Sequence, residues 1–159
     1  MSKMLSQNPF TDSDRQEIWE MLVTRDIRAY CEADWSQVAD DFIEEEFFAV
    51  DAQKDQDPGN WQFAFSTLTH YRDEWVRQAK IGLDTQYAEP LEAAVHRLTT
   101  LEKIDIADGR AIARKQFNGT IKKADGSEDK LLWQTLYYLK KTPTGWKICG
   151  FTGYLPYTA

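Results

Sequence analysis

The chain has 159 residues, a net charge of −7 and a pI near 4.9, with no basic run longer than a pair such as Lys122-Lys123 or Lys140-Lys141. That balance argues against a nucleic acid, whose phosphates need clustered Lys and Arg, and against an anionic membrane surface. Hydrophobic residues make up 42% and charged residues 28%, an ordinary globular mixture, and a chain of this length buries roughly 70% of its unfolded surface with no metal or disulfide to brace it.

In chain order, residues 1–12 are a polar lead-in to a single domain over 1–159. Ser13 with Gln16, or Asp14 with Glu17, fits a capping box. The helix it predicts runs to about Ala33, with an apolar stripe through Trp19, Leu22, Val23, Tyr30 and Ala33. Asp34 or Ser36 caps a second, shorter predicted helix, whose buried face is Trp35, Val38, Ala39, Phe42 and Ile43. Phe47 to Ala52 reads as a short strand, 53–60 as a loop with a Pro-Gly step, and Trp61, Phe63 and Phe65 as another extended piece. A third helix starts at Ser66 or Thr67 and reaches about Gly82. It buries Leu68, Tyr71, Trp75 and Ala79 and carries an Asp73–Arg77 pair outside.

From Ala94 the pattern turns to strands: Ala94–Ile106, Arg110–Lys122, Lys130–Lys141 and Trp146–Leu155. The joining turns are Asp108-Gly109, 124–127 and 143–145. The class is therefore α+β, helices first and then an antiparallel meander. In the third of these strands Trp133, Tyr137 and Leu139 share one face and Leu132, Leu136 and Tyr138 the other. In the last, Trp146, Ile148 and Tyr154 oppose Cys149, Phe151 and Leu155. Both faces are apolar, so one packs on the helices and the other calls for cover, which a homodimer through the sheet would supply.

Two cysteines far apart, Cys31 and Cys149, belong to no C-x-x-C motif, and the N-terminus has no apolar signal core. No stretch approaches the ~20 apolar residues of a membrane span. A cytoplasmic location with free thiols is the expectation.

The helix, helix, short strand, helix, four-strand order resembles the NTF2-like superfamily, in its SnoaL-like and ketosteroid-isomerase-like branches. The residues that carry the likeness are the Asp34-Trp35 step, the Phe42–Asp51 stretch, Trp133 to Tyr138, and Gly145-Trp146-Lys147-Ile148 followed by Gly153-Tyr154-Leu155-Pro156. The resemblance spans about Asp14 to Pro156. It implies a cystatin-like cone, with three N-terminal helices packed on a curved antiparallel sheet and a pocket at the open end. It also implies functions as different as isomerase, dehydratase, cyclase, dioxygenase small subunit and assembly module, so fold alone does not choose among them.

Asp26 is the foremost candidate for chemistry, because helical spacing points it into the apolar stripe between Val23 and Tyr30. A buried carboxylate is costly unless paired, hydrogen-bonded or protonated, and one so placed suits general acid/base work. The alternative is a structural ion pair with a Lys or Arg of the sheet. The isomerases resembled here place an inward tyrosine near this position, so their oxyanion role does not carry over to Asp26. Asp51, near the place of their catalytic base, is a second candidate, with a turn-capping contact to Gln53 or Lys54 as the alternative. His96, alternating with Leu98 on a predicted strand, is the third.

Tyr30, Tyr71, Trp75, Trp133 and Tyr137 would wall a ligand pocket or simply fill the core, and Arg114 would neutralise Asp26 or bind an acidic ligand. No phosphate loop, nucleophile elbow or metal-ligand spacing is present in the sequence, so neither cofactor nor metal is expected. Two functions remain: cofactor-free isomerisation, dehydration or cyclisation of a small apolar or aromatic molecule, and a non-catalytic dimeric accessory module.

Overall fold

The computed structural model describes residues 5–159. Of the lead-in predicted over 1–12, the first four residues lie outside the described part, while Phe10 packs against the core.

The first helix is one continuous rod in three pieces: α1 (Ser13–Trp19), a π-helical segment (Glu20–Arg25) and α2 (Asp26–Glu32). Its cap is Asp12, whose carboxylate accepts the Arg15 N–H at 3.1 Å, rather than the predicted Ser13 or Asp14 box. Ala33, left-handed at φ 52°, ends it where the stripe predicts. Ile18, Trp19, Met21, Leu22 and Val23 are buried against the sheet.

The predicted second helix does not form. Three short turns, Trp35–Gln37, Ala39–Asp41 and Glu44–Glu46, occupy its place. The reason is tertiary: Phe42 pairs with Ile148 as a parallel bridge, and the Ile43 N–H donates to Ile148 O at 3.0 Å, which pulls the chain extended in mid-pattern. Phe42 also joins a cluster of rings with Trp35, Phe47 and Tyr71.

β1 (Phe48–Asp51), β2 (Gln62–Phe65) and α3 (Leu68–Asp84, capped by Thr67) follow as expected. The Asp73–Arg77 pair is absent; Arg77 binds Glu74 at 2.7 Å and Arg72 binds Asp73 at 3.1 Å. The segment predicted as one strand from Ala94 to Ile106 divides into α4 (Leu91–Leu98) and β3 (Thr99–Ala107). α4 buries Ala94 and Leu98 against Ile121, while Leu91 and Val95 face the cavity described below. These four residues, at i, i+3, i+4 and i+7, share one helical face; His96, buried on the other side against Ser6, alternates with Ala94 and Leu98 as a strand would.

β4 (Arg110–Lys122), β5 (Glu128–Thr142) and β6 (Gly145–Leu155) complete a six-stranded sheet in the order β2-β1-β6-β5-β4-β3. All pairs are antiparallel except β1 with β6. Gly150 permits that parallel contact, since a Cβ there would lie 2.3 Å from Phe48 O.

Two bulges in β6 correct the predicted faces. Leu139 pairs with Ile148 and Tyr138 with Gly150, so Cys149 is extra and Phe151 returns to the same inner face as Trp146 and Ile148. Further on, Leu136 pairs with Thr152 and Gln134 with Leu155, leaving Gly153 and Tyr154 opposite Thr135 alone. One extra residue reverses side-chain parity.

The inner face is filled at one end and open at the other. Under the first helix lie Ala111, Ala113, Leu139, Trp146 and Ile148, where the two alanines let the helix approach. Beyond them the same face lines a cavity.

Candidate functional site

The open end of the sheet, α2, α3 and α4 border a half-open cavity of about 920 Å³. Its floor is Asp26 and Lys115; Tyr71, Thr135, Tyr137 and Phe151 surround them; Tyr30 and Trp75 form one wall, and Phe117, Trp133 and Tyr154 the other. Asp51, Glu74, Asp129 and Lys130 bring charge to its lining. Ligand sites of small molecules are roughly 300–1,000 Å³, so the space is ample.

Asp26 owes its position to the π-helical segment. Its own N–H bonds to Met21 O and Val23 O and bypasses Leu22 O, the α-helical partner. The Leu22 carbonyl instead accepts from Lys115 Nζ at 2.5 Å, and the same ammonium donates to Asp26 Oδ2 at 3.0 Å. Lys115 is 1% exposed, one of the largest fully buried side chains of the protein. An ammonium has three donors; two make these bonds, and Nζ also lies 5.4 Å from the centre of the Phe117 ring. π turns inside α-helices recur at functional sites.

The phenols are held neutral. Burial pushes Tyr30, Tyr71 and Tyr137 well above the ordinary tyrosine range, reinforced at Tyr137 by the nearby charge of Asp26. They are hydrogen-bond donors at any working pH. Cys31, also on the cavity wall, is pushed up to about 12 by burial and then by Glu92 and Asp26, which makes it a poor nucleophile.

The sequence-derived candidates divide. Asp26, Asp51, Tyr30, Tyr71, Trp75, Trp133 and Tyr137 all line the cavity. Asp51 also makes the turn contact, accepting the Gln53 N–H at 2.7 Å. His96 and Arg114 do not line it. His96 lies on α4, buried, with Nδ1 accepting the Ser6 N–H at 3.0 Å. Arg114 sits on the outer face, in register with Leu136, and its Nε is buried without a hydrogen-bond partner among the described residues.

The cation for Asp26 is the neighbouring Lys115. Strand parity was the available signal: Ala111 and Ala113 mark the face under the helix, and Lys115 and Phe117 continue it. Tyr154 lies on the face where alternation sets it with Trp146 and Ile148, since the two bulges cancel in parity, but no motif marks it for the cavity wall. Among the described residues no group of three His, Cys, Asp or Glu side chains could hold a metal ion, and no helix is long and apolar enough to cross a membrane.

No family model matches this sequence, and no curated protein matches it. Solved structures do match by shape. An NTF2-like family protein from Streptomyces avermitilis, described as a candidate dehydratase, superposes with TM-score 0.61 at 14% identity, over 94% of this chain and 100% of its own. An NTF2-like protein of unknown function from Pseudomonas putida gives TM-score 0.57 at 14% identity, covering 89% and 86%. An NTF2-like protein with a cystatin-like fold from Novosphingobium aromaticivorans gives 0.54 at 14%, covering 89% and 81%.

The chain has the NTF2-like fold. In NTF2-like terms, the first helix lies inside the cone, its N-terminal half plugs the cone, and the half beyond the π segment borders the open space. At 14% identity the likeness speaks for the fold alone.

Proposed function

We propose that the protein binds a small apolar or aromatic molecule in the cone and moves a proton on it, in a cofactor-free isomerisation, dehydration or cyclisation. One observation carries this reading: a cavity of about 920 Å³ whose floor is a carboxylate and an ammonium 3.0 Å apart. A cone filled by its own Trp and Tyr would have no such space. Asp26 is the proton acceptor. Lys115 holds it by one donor and turns another toward the ligand, where the neutral phenols of Tyr71 and Tyr137 add two more. Donors gathered where negative charge develops are the usual means of stabilising such a step. The dehydratase description of the Streptomyces avermitilis protein is in keeping with this class, as are the SnoaL-like and isomerase-like branches that the sequence resembles.

A thermal-shift panel of aromatic acids and polyketide-like compounds tests the binding, followed by Asp26→Asn. The wild type should be stabilised by at least one member, and Asp26→Asn should bind that compound yet turn over nothing. If Asp26→Asn and Asp26→Ala only lose stability and the wild type binds nothing, Asp26 is structural and the accessory-module reading takes over.

The second proposal is a homodimer through the outer face of the sheet. The C-terminal residues cover part of that face, where Gln134 donates to Pro156 O and Gln116 to Thr158 O. Beside them Ile112 and Tyr138 stand 44% and 37% exposed around Leu136 and Arg114. A second copy would cover this patch. Sedimentation at micromolar concentration should give a dimer, and a monomer alone would refute it.

A further inference from the structure

Three non-glycine residues adopt left-handed backbone together at the cavity's edge: Gln53 (φ 54°), Lys54 (φ 59°) and Tyr154 (φ 52°). For a bulky residue such as tyrosine this conformation is an outlier, and outliers of this kind gather at ligand clamps. The three are tied to one another. The Lys54 N–H donates to Tyr154 O at 2.7 Å, and the Ala52 N–H donates to Gly153 O at 2.9 Å.

The strain has a visible result. Because Gly153 and Tyr154 together oppose Thr135, this second bulge returns Tyr154 to the inner face, where it joins the cavity lining. Its ring lies 5.0 Å from Trp133, and Trp133 lies 5.2 Å from Phe117, so three rings run in series along one wall. Lys54 Nζ rests 5.6 Å from the centre of the Trp133 ring and holds the 53–54 turn against it. Phe117, at one end of the series, lies with its ring centre 5.4 Å from Lys115 Nζ, while Tyr154 and the strained turn stand at the other end. Glycine would satisfy the same backbone at no steric cost, so the ring itself must account for a tyrosine here.

We infer that Phe117, Trp133 and Tyr154 form the ring-recognition wall of the cavity, and that Tyr154 sets its preference for planar aromatic rings over saturated ones. This rests on the small-molecule reading above. Aromatic pairs gain from the quadrupole of facing rings, a gain that a saturated ring of equal size forgoes.

The test is calorimetric binding of β-naphthol and of its fully hydrogenated counterpart, β-decalol, to the wild type, Tyr154→Phe and Tyr154→Gly, with thermal midpoints alongside. The wild type should prefer β-naphthol by about three- to tenfold. Tyr154→Phe should keep that preference. Tyr154→Gly, which suits the left-handed backbone, should stay folded and bind the two compounds equally. A preference that survives in Tyr154→Gly, or equal binding of both compounds by the wild type, overturns the inference and leaves the cavity reading standing. Binding of neither compound by the folded wild type overturns the cavity reading, and this inference with it.

Discussion

Lys115 joins the sheet to the first helix through a single ammonium, 3.0 Å from Asp26 Oδ2 and 2.5 Å from Leu22 O. The two partners differ in solvation: the Lys115 side chain is 2% exposed and that of Asp26 is 30%. The pair is therefore asymmetric. Asp26→Asn strands a buried cation and should cost about 3–5 kcal/mol, the range for breaking a buried pair. Lys115→Met leaves a carboxylate that cavity water can reach and should cost about 1–3 kcal/mol. Urea unfolding of both variants measures the difference. A larger cost for Lys115→Met would mean that the cavity does not solvate Asp26.

His96 predicts an acid sensitivity. Burial lowers its pKa from the usual histidine value, with Lys115 and Arg28 pushing the same way and Glu92 and Glu20 opposing. The folded state therefore takes the proton less readily than the unfolded chain. Stability should be unaffected well above the unfolded value of about 6.5 and should fall as pH drops below it, until the folded group itself protonates. One proton gives a slope of at most about 1.4 kcal/mol per pH unit. His96→Asn retains an acceptor for the Ser6 N–H and should flatten this part of the profile. An unchanged slope in His96→Asn would contradict the assignment.

Gly150 predicts a local effect. A Cβ at this position would meet Phe48 O at 2.3 Å, and a backbone atom cannot swing aside as a side chain can. Gly150→Ala should cost about 1–3 kcal/mol, as overpacking does. It should also speed amide exchange across Phe48–Asp51 more than across β4, and exchange that rises equally in both strands would contradict the pairing.

The buried phenol of Tyr137 should be silent in an alkaline titration. Burial and the charge of Asp26 push it far above the ordinary tyrosine range. Tyrosinate absorbance up to about pH 11, past the usual tyrosine value, should match between the wild type and Tyr137→Phe. A missing component in the variant would show that the ring is solvated.

What the sequence discloses follows from how local each feature is. The first helix, α3 and the last three strands carry their own periods and turns, and they form where the patterns place them. The second helix fails because Phe42 answers to Ile148, far along the chain. α4 is hidden because His96, buried against Ser6 on the side away from the Leu91, Ala94, Val95 and Leu98 face, makes Ala94, His96 and Leu98 alternate like a strand. Asp26 was legible from the stripe on its helix. Its partner Lys115 needed the parity of β4 to be set by the two alanines, and Phe151 reached the inner face through a bulge that no short-range pattern announces. His96 followed the misread element away from the site. The likeness to the NTF2-like fold, drawn from scattered local signals, survives these errors because it depends on element order.

The most direct test of the account is an NMR titration of the tryptophan indole N–H signals with β-naphthol. Trp75 and Trp133 line the cavity. Trp61 and Trp146 have their indole N–H groups bonded elsewhere, to Asp55 O at 2.8 Å and to Asp14 Oδ1 at 3.0 Å. Saturable shifts at Trp75 and Trp133, with Trp61 and Trp146 still, are the predicted result. Shifts confined to Trp61 or Trp146, or none at millimolar ligand, would contradict a ligand-binding cone.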